Sequence, residues 1–263
     1  MPGDWAGGLL QGGRRVQESL LDLLFPPRCA ACRHRGISWC SACDAAVVRL
    51  QGRLCPWCGE PCAGSSCRTC RVAPLPLPVR SYARYTTTLI PALLRLKYRP
   101  DPRLAAVLAG WLAGLCRSAG WTPTLVVPVP LAPTRQRQRG YNQADLLARL
   151  LADRLGCPAS SEALLRIRAT RSQVGLGPAE RRANVRGAFQ ARETEVRGQV
   201  VCLVDDLLTT GATLAACAEA LFSAQALDVF GLTVGRAGTN RPIPAEDSHA
   251  SQSRHQRAQP RVE

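Results

Sequence analysis

The sequence predicts an α/β protein in which a parallel-sheet domain follows a small cysteine-rich module. Three observations predict it. Four CxxC pairs fall within residues 29–70, the apolar runs of residues 79–237 alternate with helical patterns, and one run ends in two acids and a Thr/Gly loop. The chain has 263 residues, 46% apolar and 20% charged, which is a globular composition rather than a disordered one.

Residues 1–24 predict an amphipathic helix. Val16, Leu20, Leu23 and Leu24 fall near helical spacing, and Pro26-Pro27 ends it. Such a helix either docks on the body of the protein or meets a membrane surface or partner. The first ten residues lack the charged and apolar segments of a secretory signal. The longest apolar stretch, Leu104 to Cys116, contains glycines and is shorter than the roughly 18 residues of a membrane span. Thirteen cysteines cannot all form intramolecular disulfides. A reducing, cytoplasmic setting is therefore expected, in which clustered cysteines bind metal.

Residues 25–73 hold nine of the cysteines. A CxxC turn aims two sulfurs at one point, and two such turns supply the four thiolates of a structural zinc site. The expected ligands are Cys29, Cys32, Cys40, Cys43, Cys55, Cys58, Cys67 and Cys70, for two zinc ions. Redox CxxC motifs come singly on a βαβ scaffold, not four in series. Spacing leaves open whether the pairs combine in sequence or interleave, Cys29/Cys32 with Cys55/Cys58. Cys62 and His34 are expected bystanders. A segment this short has too little core to fold alone, so zinc supplies its folding energy. Residues 74–78, Pro-Leu-Pro-Leu-Pro, read as a semi-rigid linker. Residues 238–263, almost without apolar side chains, read as a disordered tail.

Within residues 79–237 the informative stretch runs from Val200 to Leu214. Five apolar residues predict a buried parallel strand, Asp205 and Asp206 follow, and a helical pattern begins at Ala212. The acids and the loop Thr209–Thr213 therefore fall at a strand's carboxyl end and a helix's N-terminus, where α/β folds bind ligands. Unpaired backbone N–H groups there attract an anion, Thr209, Thr210 and Thr213 add hydroxyls, and Gly211 permits close approach. Adjacent carboxylates suit a ribose diol. Consecutive strand residues face opposite sides, so both acids serve one ligand only if the chain turns there. Leu125–Val129 predicts a second strand, ending in a loop rich in Pro and Arg, and Asn142-Gln143 head a helix to about Leu155. Ser172–Phe189, with Gly175, Gly177 and Pro178, reads as a long flexible loop.

Net charge is +15, and residues 79–237 hold +10 of it. That sign attracts polyanions and phosphates. Lys97 is the sole lysine, which reads as compositional bias. No histidine lies between His34 and His249, so Ser-His-Asp and Cys-His catalysis are excluded from the core.

The strand, the two acids and Thr-Thr-Gly-Ala-Thr resemble the signature of type I phosphoribosyltransferases. With Val126-Val127-Pro128-Val129-Pro130-Leu131, Arg135, Arg139-Gly140-Tyr141-Asn142-Gln143, Gln173, Arg181, Asn184 and Gly187-Ala188-Phe189, they resemble the ComF family (ComFC and GntX proteins). So does Leu96-Lys97-Tyr98 before Asp101. The resemblance covers roughly residues 25–237, and it departs at Tyr141, where phenylalanine is expected. It implies a double zinc ribbon on a phosphoribosyltransferase-like domain that binds phosphoribosyl pyrophosphate (PRPP) with Mg. Asp205 and Asp206 would hold the ribose hydroxyls, residues Thr209, Thr210, Gly211, Ala212 and Thr213 the 5′-phosphate, and Arg135 and Arg139 the pyrophosphate; Arg137 is expected in solvent. Gln173, Arg181 and Asn184 would belong to a lid. The family's link to competence implies single-stranded DNA and a competence helicase or other DNA-uptake proteins as partners. The alternative is a non-catalytic, zinc-dependent single-stranded DNA-binding protein with a vestigial or regulatory nucleotide site.

Overall fold

The computed structural model describes residues 26–170 and 177–238. The expected N-terminal helix, Gln173 and the tail beyond Gly238 lie outside the described residues. The elements run α1 (Ser41–Ala45), α2 (Arg68–Val72), β1 (Val79–Arg84), α3 (Leu89–Tyr98), α4 (Pro102–Ser118), β2 (Leu125–Pro128), α5 (Pro133–Arg139) and α6 (Gln143–Leu155). After them come β3 (Leu164–Arg166), α7 (Pro178–Val185), β4 (Phe189–Ala191), α8 (Glu193–Val196), β5 (Val200–Leu208), α9 (Ala212–Ser223) and β6 (Asp228–Arg236).

Four strands form a parallel sheet in the order β1-β6-β5-β2. A parallel sheet is covered on both faces, so its strands must be apolar throughout. Alternate residues of β5 meet that need: Cys202 and Val204 pack with α4 and α6, while Val201 and Leu203 pack with α9. The short antiparallel pair β3–β4 lies on the α9 side. Each helix in the site region has a local reason to start where it does. Asp101 caps α4 by accepting Leu104 N–H at 2.9 Å, and Asn142 caps α6 by accepting Ala144 N–H at 3.0 Å. Gly156 ends α6 in the left-handed conformation.

Part of the expected flexible loop is helix. Pro178 stands at the first turn of α7, and Glu180 Oε2 accepts Gly177 N–H at 2.6 Å, a start signal that outweighs the nearby glycines.

Unpaired sheet edges invite association, and both edges here are covered. On β2, Val126 exchanges hydrogen bonds with Pro158 and Ser160 at 3.0 Å each. On β1 the cysteine module does it: Leu50 N–H donates to Tyr82 O at 3.0 Å and Arg84 N–H to Val48 O at 2.8 Å. Trp111 on α4 stacks on Tyr82 at 4.5 Å and takes the edge of Trp39 at 5.5 Å. Residues 74–78 are docked: Leu77 is fully buried against the sheet. Among the described residues, no helix is long and apolar enough to cross a membrane.

Candidate functional site

The eight cysteines gather in chain order. Cys29, Cys32, Cys40 and Cys43 form one cluster, and Cys55, Cys58, Cys67 and Cys70 the other, with all four sulfurs of each within 4.8 Å of one another. Two Zn–S bonds of roughly 2.3 Å at a tetrahedral angle set sulfurs about 3.8 Å apart. The Cys32–Cys40 and Cys58–Cys67 sulfurs lie 3.6 Å apart, so both clusters fit zinc. The turns repeat: Cys29 N–H donates to His34 O and Cys55 N–H to Glu60 O, each at 2.8 Å. Burial raises the Cys29 thiol, but the backbone N–H groups of Cys32, Cys40 and Ala31 outweigh it and bring it down to about 6. The same balance, with the N–H groups of Cys67, Cys58 and Trp57, brings Cys55 down to about 6. Cys43 goes the other way, pushed up to about 12 by burial and its cysteine neighbours. Four crowded thiols cannot all ionise without a cation, which is the chemistry zinc supplies. Cys62 lies outside both clusters, with its thiol 3.6 Å from Gly64 O, and His34 is exposed.

The second site is a cleft of about 280 Å³ at the carboxyl end of the sheet. Asp205, Asp206, Thr209, Gly211, Ala212 and Thr213 line one side, and Arg135, Arg139 and Arg181 line it from α5 and α7. Arg135 and Arg139 stand four residues apart, hence on one helix face, while Arg137 is exposed outside the cleft. Thr210 does not line the cleft; its hydroxyl accepts Ala212 N–H at 3.4 Å and braces the loop. Asn184 does not line it either, and its backbone oxygen takes Arg168 at 3.1 Å.

β5 does not turn at the acids but runs on to Leu208. Asp205 Oδ1 instead folds back to accept Asp206 N–H at 2.8 Å, and both residues line the cleft. Gly211 (φ +80°) then caps α9 without a side chain, so the first-turn amides of α9 have no side-chain partner from the cap.

Lys97, Gln143 and Arg166 line the cleft as well; in the sequence the first two stand in family motifs without a site role, and Arg166 is not singled out. The Lys97 ammonium lies 2.9 Å from Asp206 Oδ2, out of line for a directed hydrogen bond and so mainly ionic, with Asp206 only 4% exposed. The signal for Lys97 was present in Leu96-Lys97-Tyr98, although its being the sole lysine read as compositional bias. Gln143 Oε1 accepts Arg139 Nη1 at 3.1 Å and fixes that arginine's direction. The Asp205 carboxyl is held well above the usual carboxylate range, first by burial and then by the charge of Asp206. Lys97 is raised: burial works against it, but Asp206 and Asp205 prevail. Arg166 is lowered by burial, and Arg135 and Arg168 add to the effect. The cleft thus gathers two carboxylates with Lys97 and, beside them, the guanidinium groups of Arg135, Arg139, Arg166 and Arg181. Asp101 is not part of it; beyond its cap it pairs with Arg95 at 2.7 Å.

The double zinc ribbon domain family matches residues 20–71. The DNA utilization protein YhgH of Salmonella typhimurium (strain LT2) is 38% identical over 213 residues, covering 76% of this chain and 92% of that one. The competence protein ComFC of Bacillus subtilis is 30% identical over 191 residues, covering 69% and 77%. This chain belongs to the ComF family. The competence protein F of Haemophilus influenzae adds a 43% identical segment of 94 residues, 35% of this ComF chain and 41% of that protein. Among solved structures, glutamine PRPP amidotransferase from B. subtilis aligns at 20% identity over 53% of this ComF chain and 30% of that one, with a TM-score of 0.37.

Proposed function

We propose that this ComF-family chain binds PRPP with Mg in the cleft at the carboxyl end of the sheet, and that binding serves DNA utilisation or competence. The observation that carries the reading is the convergence in one cleft of Asp205 and Asp206, the loop residues Thr209, Gly211, Ala212 and Thr213, and four arginines, Arg135, Arg139, Arg166 and Arg181. The acid pair accepts hydrogen bonds from the ribose hydroxyls. The first-turn amides of α9, with Thr209 and Thr213, take the 5′-phosphate. The arginines face the pyrophosphate, which they can grip with paired N–H donors. Mg, when bound, neutralises pyrophosphate charge, and the carboxylates beside Lys97 fit a hard cation. In ribosyl transfer the C1–O bond breaks, pyrophosphate leaves with the electron pair, and an acceptor nitrogen bonds to C1 and loses a proton. The chain's part is to orient the ribose, stabilise the departing charge and exclude water.

Calorimetry with PRPP and Mg tests the reading: wild type binds, and Asp205→Asn with Asp206→Asn abolishes binding. Unchanged affinity would overturn it. Pyrophosphate release across a panel of bases and amines reads turnover.

A second reading, a non-catalytic single-stranded DNA-binding protein, is favoured by the +10 charge of residues 79–237 and by Arg135 and Arg137, exposed on α5. Its mark is a steep salt dependence, with a slope of about −0.7 per phosphate contacted. DNA affinity that survives the double Asn variant and resists salt would count against phosphate contacts.

A further inference from the structure

Two contacts tie the second cysteine cluster to the anion loop. The first is Leu75, which packs at once on Cys55, Cys58, Cys67 and Cys70 and on the core around α9. Its isobutyl group presses on the loop itself: a Cβ at Gly211 would lie 2.8 Å from Leu75 Cδ2 and 3.0 Å from Cδ1. The second contact starts at Arg236, the ladder partner of Leu208, the last residue before the loop. Arg236 donates to Cys58 O at 2.6 Å and to Glu60 Oε2 at 2.5 Å, and Arg84 donates to the same carboxylate at 3.0 Å. The loop is thus pressed by Leu75 and held at its base by Arg236, and both reach back to the same four cysteines. The first cluster packs elsewhere, in the core that includes Trp39 and α4.

We infer that the second cysteine cluster positions the anion loop, with Leu75 as the positioning residue, so that metal at this cluster and anion at the loop bind cooperatively. The cooperative half rests on the anion reading above. A four-cysteine turn keeps its shape only while its ligands are held together. Freed ligands release Leu75 and Glu60, and the left-handed turn at Gly211 loses its wedge. Linkage is reciprocal, so a phosphate seated on the loop must tighten metal binding at the second cluster and not at the first.

The test uses the full, zinc-loaded chain, with ribose 5-phosphate as the probe. Zinc competition against a chromogenic chelator at equilibrium should resolve two affinities, only one of them tightened by the probe, by about fivefold or more. Leu75→Ala should keep two zinc ions per chain, remove that tightening and speed hydrogen exchange in residues 207–214 without any ligand. Glu60→Gln, which leaves the apolar packing intact, should shift exchange the same way. Unchanged loop exchange in both variants, or equal tightening of both zinc sites, overturns the inference. If wild type binds neither ribose 5-phosphate nor PRPP, the functional reading and the cooperativity fall, while ligand-free exchange still supports or overturns the positioning role.

Discussion

Asp205 and Lys97 show at residue scale how binding and stability oppose each other. The Asp205 carboxyl is raised by burial and by Asp206, so the folded protein holds its proton more tightly than the unfolded chain does. Its favourable contribution is complete below the unfolded value of about 3.9 and is lost as pH rises through the raised folded value. At neutral pH, where the unfolded chain ionises this carboxyl freely and the folded site resists its charge, the group is a cost. Asp205→Asn is therefore expected to raise Tm at pH 7 while losing PRPP binding, and the gain should vanish near pH 3; a lower Tm at pH 7 would contradict the burial argument. Lys97 is raised, so its contribution is present below about pH 10.4 and lost as pH climbs through the folded value. Lys97→Met leaves Asp206 buried without its cation, which is expected to cost roughly 3 kcal/mol by urea unfolding at pH 7. The thiols of Cys202 and Cys217 are pushed up by burial first, and alkylation of the native protein should leave both unmodified.

At the scale of elements, the β5–loop–α9 unit depends on a glycine for two separable reasons. Gly211 has φ +80°, and its missing Cβ is the space that Leu75 fills. Gly211→Ala is expected to cost about 1–3 kcal/mol. Adding Leu75→Ala should return part of that loss, the steric part, and leave the backbone part. A thermodynamic cycle on the two variants measures the split, and strict additivity would mean that the contact carries no strain. Gly59 has a like role where the module meets β1: a Cβ there would lie 2.8 Å from Val79 O. Both acids line the cleft although β5 runs on to Leu208 without the chain turn expected from strand alternation, and Asp205 folds back onto Asp206 N–H.

At the scale of the whole molecule, the cysteine module is part of the sheet's architecture. It pairs with the outer edge of β1 and anchors the carboxyl ends of β1 and β6 through Glu60. Removing zinc with a chelator is expected to unfold residues 26–73, uncover that edge and promote aggregation. Light scattering after chelation checks this, and a monodisperse protein would count against the edge-covering role. Elemental analysis should find two zinc ions per chain.

Much of this was legible in the sequence, because its signals are local. A CxxC turn needs only its own four residues, and β5 with α9 needs only an apolar run, two acids and a glycine in order. The helix heads at Asn142 and Pro178 are likewise short-range, although only the first was read as a helix. Pairing of the cysteine turns was not legible: similar spacings fit sequential and interleaved sets, and the structure groups them in chain order, the first cluster in the core with Trp39 and the second against Leu75. Nor was the place of Lys97 or Arg166, since each reaches the cleft from an element distant in sequence. The sequence by itself determined which chemical groups exist and which turns they form. Tertiary structure decided which groups share a cleft or a charge, because Coulomb and packing energies depend on distances through space that chain spacing does not encode.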